Sequence, residues 1–172
     1  MDAETLILAV LAAVPNHEIQ GRKRLQKMSY FALQKGASAN VRFFLHDFGP
    51  FSADVASATD LLSFLGDIDE EEVQLGKTRL YSKLYRLADP GNVPEHLPQE
   101  AILAIQTPNE FSTIELEIAS TIFYFMSSRG MNESAATDAT RELKPSKSQP
   151  AIIRRAKEAL SKVGLDERRR AY

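Results

Sequence analysis

The 172-residue chain contains no cysteine. That excludes disulfides, thiolate catalysis and Cys-ligated zinc together, and it suits a reducing compartment, so a cytoplasmic protein is expected. Histidine is scarce. His17, His46 and His96 stand far apart, without the paired spacing on one helix that a zinc site needs, so no metal and no cofactor are expected. No Gly-rich phosphate loop and no nucleophile elbow occurs, and Asp47 beside His46 is only an adjacent pair. The acidic run Asp67–Glu72 lacks the glycine a calcium loop requires. Long apolar runs are missing too. None approaches the roughly 20 residues that span a bilayer, and Asp2 and Glu4 precede Leu6–Val14 where a signal peptide would be basic, so no membrane role is expected.

What is present is ordinary for a globular protein: 44% apolar and 26% charged residues, enough for a real core. The net charge of −2 conceals blocks of opposite sign. Arg22, Lys23, Arg24, Lys27, Lys35 and Arg42 fall in 21–45, which has no acid. Residues 46–76 hold eight acids and no Lys or Arg, whereas 141–172 carry ten basic and four acidic groups. A drive toward nucleic acid therefore has to come from local charge.

Hydrophobic spacing predicts a mainly α protein with a small β component, an α+β chain. Asp2 caps a first helix that Pro15 stops, and "PNHEIQG" reads as a turn. A second helix spans 22–35, with Leu25, Met28, Ala32 and Leu33 inward, Phe31 at the edge and Gly36 behind it. "VRFFLHDF" is a strand, Gly49–Pro50 a hard corner, and Ser52 the cap of a third helix whose inward face is Val55, Thr59, Leu62 and Leu65. A β-hairpin with an acidic first arm follows, its tip carrying Lys77 and Arg79. This order suggests a winged-helix-like unit over 1–90, with the strand later than the standard place. Prolines 90, 94, 98 and 108 mark a connection over 91–108, with a short helix from Pro98 to Ile105. A helical region over 109–172, packed on the first unit, completes the chain. Its first helix, to Arg129, has a stripe from Ile114 to Met126 broad enough for core or oligomer contact, with Thr113, Leu116 and Glu117 in its first turn. Two more follow, from Asn132 and from Ser148, the last an amphipathic basic helix, and the tail "DERRRAY" is expected to fray.

The stretch "GRKRLQKMSYFALQKG" followed by "FFLHDFGPFSADV" resembles the YwgA family of small prokaryotic proteins. The matching positions are Gly21, Arg22, Leu25, Gln26, Lys27, Tyr30, Phe48, Gly49, Pro50 and Ser52, and the likeness covers 1–90. The pairing of Leu-Gln-Lys with Gly-Pro also looks like the Panacea antitoxin domain. The resemblance implies toxin–antitoxin or regulatory work done by binding a partner protein, and it carries over no catalytic residue.

Three functional readings follow. The first is a non-enzymatic binding protein acting on a protein partner, antitoxin-like or regulatory, with homodimerisation open. The second is a winged-helix DNA-binding regulator that uses Arg22, Lys23, Arg24 and Lys27 with Lys77 and Arg79. Basic groups at a helix start oppose the macrodipole and so suggest a task, although pairing with the acidic block is the bland alternative. The acidic third helix, with Asp54 and Asp60, counts against groove binding. The third is a ligand-binding or catalytic pocket of Gln26, Lys27, Tyr30 and His46 at the Phe48–Pro50 corner. Its bland counterpart is a clamp in which Gln26 bonds corner backbone groups and Lys27 lies near Asp47.

Overall fold

The computed structural model describes residues 1–166; the predicted frayed tail lies almost wholly outside them. Helix α1 (Ala3–Ala13) is capped by Asp2, whose carboxylate accepts from Thr5 N at 2.8 Å; Leu6, Ile7, Ala9, Val10 and Leu11 are buried, and Leu8, Ala12 and Ala13 partly so. Strand β1 (Glu18–Gln20) follows where a turn was expected. It is too short to show periodicity and forms only because β5 pairs with it, Ile19 opposite Tyr85. Helix α2 (Arg22–Gln34) then runs through the middle of the molecule. Phe31, expected at its edge, is fully buried.

The aromatic segment differs from expectation. Phe44–His46 is β2, but Gly49–Phe51 is a second strand, β3, and the chain reverses at Asp47–Phe48 between them. Pro50 is tolerated because this two-stranded ladder is all edge, so a missing donor costs little. Ser52 caps α3 (Ala53–Leu65), accepting from Val55 N, and Gly66 ends it in the left-handed conformation. Strands β4 (Ile68–Gln74) and β5 (Tyr81–Leu87) form the hairpin, and the sheet order is β1-β5-β4. The succession α1, β1, α2, α3, β4, β5, with β1 pairing the returning strand, is the winged-helix order; the β2–β3 hairpin is inserted between its second and third helices.

Helix α4 (Gln99–Gln106) buries Ala101, Ala104 and Ile105 within the same core as α1 and α2, so the proline-marked stretch contributes core as well as connection. Helix α5 (Thr113–Arg129) begins with a full capping box between Ser112 and Glu115. Leu116, Ile118, Ala119, Ile122, Phe123 and Met126 are buried against α2, β3, α6 (Glu133–Leu143) and α7 (Pro150–Val163). The stripe that suggested core or contact is thus core, although Ile114 at its start is half exposed. Glu117, expected to make an acidic first turn, is buried at the second turn. Among the described residues no helix is long and apolar enough to cross a membrane.

Candidate functional site

The motif residues converge, and they make a joint rather than a pocket. Gln26 reaches from α2 to the start of α3, where Nε2 donates to Ser52 O and Oε1 accepts from Ser52 N, both at 2.9 Å. One amide side chain therefore satisfies both backbone groups of a fully buried residue. Lys27 is 1% exposed, and its Nζ donates to Pro50 O at 2.7 Å. Tyr30 packs against Phe31, Phe43 and Phe123, and Leu25 is core. His46 is exposed and stacks on Phe51, away from Lys27. The pocket of Gln26, Lys27, Tyr30 and His46 does not form.

The corner rests on α5. Gly49 has φ +81°, and a Cβ there would sit 2.8 Å from Thr121 Oγ1 and 3.3 Å from Glu117 O. Directly below, Glu117 is 2% exposed and accepts from Lys147 Nζ at 2.8 and 3.0 Å, with Lys144 Nζ at 3.0 Å. Lys144 also donates to the carbonyl of Asp47, so it is Lys144, not Lys27, that holds Asp47. Lys23 Nζ lies 3.4 Å from the centre of the Phe48 ring, and Lys147 Nζ 4.8 Å from it.

Four ammonium groups around one carboxylate perturb each other. Burial pushes the Lys27 pKa down to about 7; Glu117 opposes this, while Lys144, Lys23 and Lys147 reinforce it. Burial would raise the Glu117 carboxyl, but its bonds from Lys147 and Lys144 outweigh that and hold it below the usual carboxylate range. Burial and the neighbouring Lys147 lower Lys23 as well. With Lys27 buried and bonded to Pro50 O, the cluster fastens α2, β3, α5 and the α6–α7 connection.

The basic residues at the start of α2 are largely engaged inside the molecule. Arg22 donates to Tyr85 Oη at 3.1 Å and to Asp60 at 2.6 Å, with Glu70 at 3.9 Å. Arg24 donates to the carbonyls of Phe111 and Pro108 at 2.8 and 2.9 Å. Lys27, grouped with them as a surface contact, is buried. Lys77 and Arg79 stand exposed on the β4–β5 turn as expected. Between that hairpin, the α2 start and the α5 start lies an open cleft of about 910 Å³, lined in part by Ile19, Gly21, Arg22, Lys23, Tyr81 and Thr113. Among the described residues it holds no nucleophile–base pair. Arg24 and Lys83 line it too, and Lys83 is bonded to Glu70 at 2.8 Å and lies 3.3 Å from Glu72. Arg22 thus links the basic block of the sequence to Asp60 and Glu70 of the acidic block, and Lys83 adds the Glu70 and Glu72 pairs.

A different surface is unengaged. Helix α3 buries Val55, Ala58, Thr59 and Leu62, but on its outer side Phe64 is 87% exposed, Leu65 61% and Leu61 43%. Leu65 was expected inward; it lies beside Leu61 on the helix surface, four positions away, and points to water. Asp54 and Asp60 flank this stripe. The hairpin end adds exposed Leu75, Leu80 and Tyr81. Only the exposure itself could have revealed the stripe, because apolar spacing along α3 fits a helix buried on either side. No family model, no curated protein and no solved structure matches the chain.

Proposed function

We propose that the protein is a non-enzymatic binding module that acts through a protein partner, in the antitoxin-like or regulatory capacity implied by its resemblance to the YwgA family. The observation that carries this is the outer face of α3, where Leu61, Phe64 and Leu65 stand in water on a helix whose inner side is buried. Contiguous exposed apolar side chains rimmed by polar ones mark interaction surfaces. In the winged-helix order α3 is the helix that would enter a DNA groove. Here it carries Asp54 and Asp60 and no basic residue, so phosphate repels it. Of the cations the DNA reading names, Arg22 is paired with Asp60, Lys23 lies over the Phe48 ring, Arg24 donates to the Phe111 and Pro108 carbonyls and Lys27 is buried, which leaves Lys77 and Arg79 exposed at the hairpin tip.

The test is capture from lysate of the native cells, with nuclease treatment in parallel, using the wild type and the double variant Leu61→Gln, Phe64→Gln. A stoichiometric protein that survives nuclease and is lost with the variant supports a partner surface on α3. Recovery of nuclease-sensitive nucleic acid alone, unchanged by the variant, overturns it.

A further inference from the structure

The α3 face is more specific than an apolar patch, because its surroundings carry uncompensated charge of one sign. Asp54 stands one to two turns before Leu61 on the exposed side, and Asp67 directly follows the helix end at Gly66. Asp69 and Glu71 lie on the other side of β4 from Glu70, which is joined to α3 through Arg22, and Asp69 stands opposite Arg86 across the ladder, so neither belongs to this face. Glu70 and Glu72 are paired with Lys83, and Asp60 with Arg22. Asp54 and Asp67 have no ion-pair partner among the described residues and both are exposed, Asp54 accepting one hydrogen bond from Arg42 N at 3.1 Å. Residues 46–76 supply no Lys or Arg that could reach them from within the segment.

We infer that this face docks a basic amphipathic helix of a partner protein, its leucine- or phenylalanine-rich side seated on Leu61, Phe64 and Leu65 and its Lys or Arg residues facing Asp54 and Asp67. The inference rests on the reading of α3 as a partner surface and adds the partner's chemistry. Side chains at i, i+3 and i+4 form the kind of ridge that packs between the side chains of a second helix. Charge complementarity selects the sign of that helix and rejects others. A second copy of this chain is disfavoured, since pairing α3 with α3 would bring the same acids face to face. Anionic lipid and nucleic acid are repelled for the same reason.

The experiment uses the full chain and two labelled designed peptides with one leucine-rich helical face, one flanked by Lys and Arg and the other by Glu. Anisotropy titrations at low and high salt are run on the wild type, on Leu61→Gln, Phe64→Gln, and on Asp54→Asn, Asp67→Asn. The basic peptide is expected to bind at least about tenfold tighter than the acidic one, a free-energy margin that charge pairing readily supplies. Its affinity should drop with salt and with either double variant. Equal binding of the two peptides, binding of neither, or indifference to the variants overturns the inference, as does self-association of the wild type through this face. If lysate capture still depends on Leu61 and Phe64 while the peptides are not distinguished, the partner surface stands and its basic chemistry falls. If capture is also indifferent to the variant, both fall.

Discussion

Single residues set the corner, and two of them make checkable demands. Gly49→Ala would force a left-handed φ on an alanine whose Cβ lies 2.8 Å from Thr121 Oγ1, against a helix that cannot retreat. A loss of about 2–4 kcal/mol is expected, read as a lower urea midpoint. Lys27 makes stability depend on pH. Its native pKa, about 7, lies below the value near 10.5 of an exposed lysine. Below pH 7 both states hold the proton, and the native state bears the whole burden of a buried ammonium. Between about 7 and 10.5 unfolding takes up a proton, so stability contributed by this group rises with pH, by at most about 1.4 kcal/mol per unit. Urea curves of the wild type and Lys27→Met should therefore diverge in the wild type's favour from pH 7 to pH 9. Parallel pH profiles would contradict the depressed pKa. The comparison isolates Lys27 from Lys23, Lys144, Lys147 and Glu117, which surround it in both proteins.

At the level of elements, α3 combines a tightly fixed inner side with a dispensable outer one. Leu61→Gln, Phe64→Gln should shift stability by about 0.5 kcal/mol or less, since exposed positions on a helix with good formers contribute little to folding. A drop of several kcal/mol in thermal or urea unfolding would mean that the stripe is packed and not free. Much of this layer was legible in the sequence. The caps Asp2, Ser52 and Asn132, the stops Gly36 and Gly66, and the acidic arm of the hairpin are local chemistry and fall where local chemistry places them. Strand β1 was not legible, because three residues acquire strand geometry only from β5, more than sixty residues later. Gly-Pro reads as a breaker, yet β3 accommodates it at an unpaired edge. The Gln26 clamp on the corner could be anticipated from the two half-motifs. The seat of Glu117 could not, for its cations Lys144 and Lys147 arrive from the far end of the chain.

At the scale of the molecule, the winged-helix order and the later helices share one core. Tyr30 of α2 meets Phe123 of α5, the β3 corner lies on Glu117–Thr121, and Lys144 fastens the Asp47 carbonyl. A fragment of residues 1–90 would leave Lys27 and the corner without their floor. It should lack a cooperative thermal transition by circular dichroism and give poorly dispersed amide resonances; a sharp transition in the fragment would show that the later helices are accessory.

The docking face proposed on α3 centres on Phe64, which is 87% exposed. The most direct test places a photo-crosslinking benzoylphenylalanine at position 64 in the native cells, with the same group at exposed Glu142 of α6 as control. One discrete protein adduct at position 64, absent from the control, is the predicted result. No adduct at position 64, the same adducts at both positions, or adducts to nucleic acid alone would contradict it.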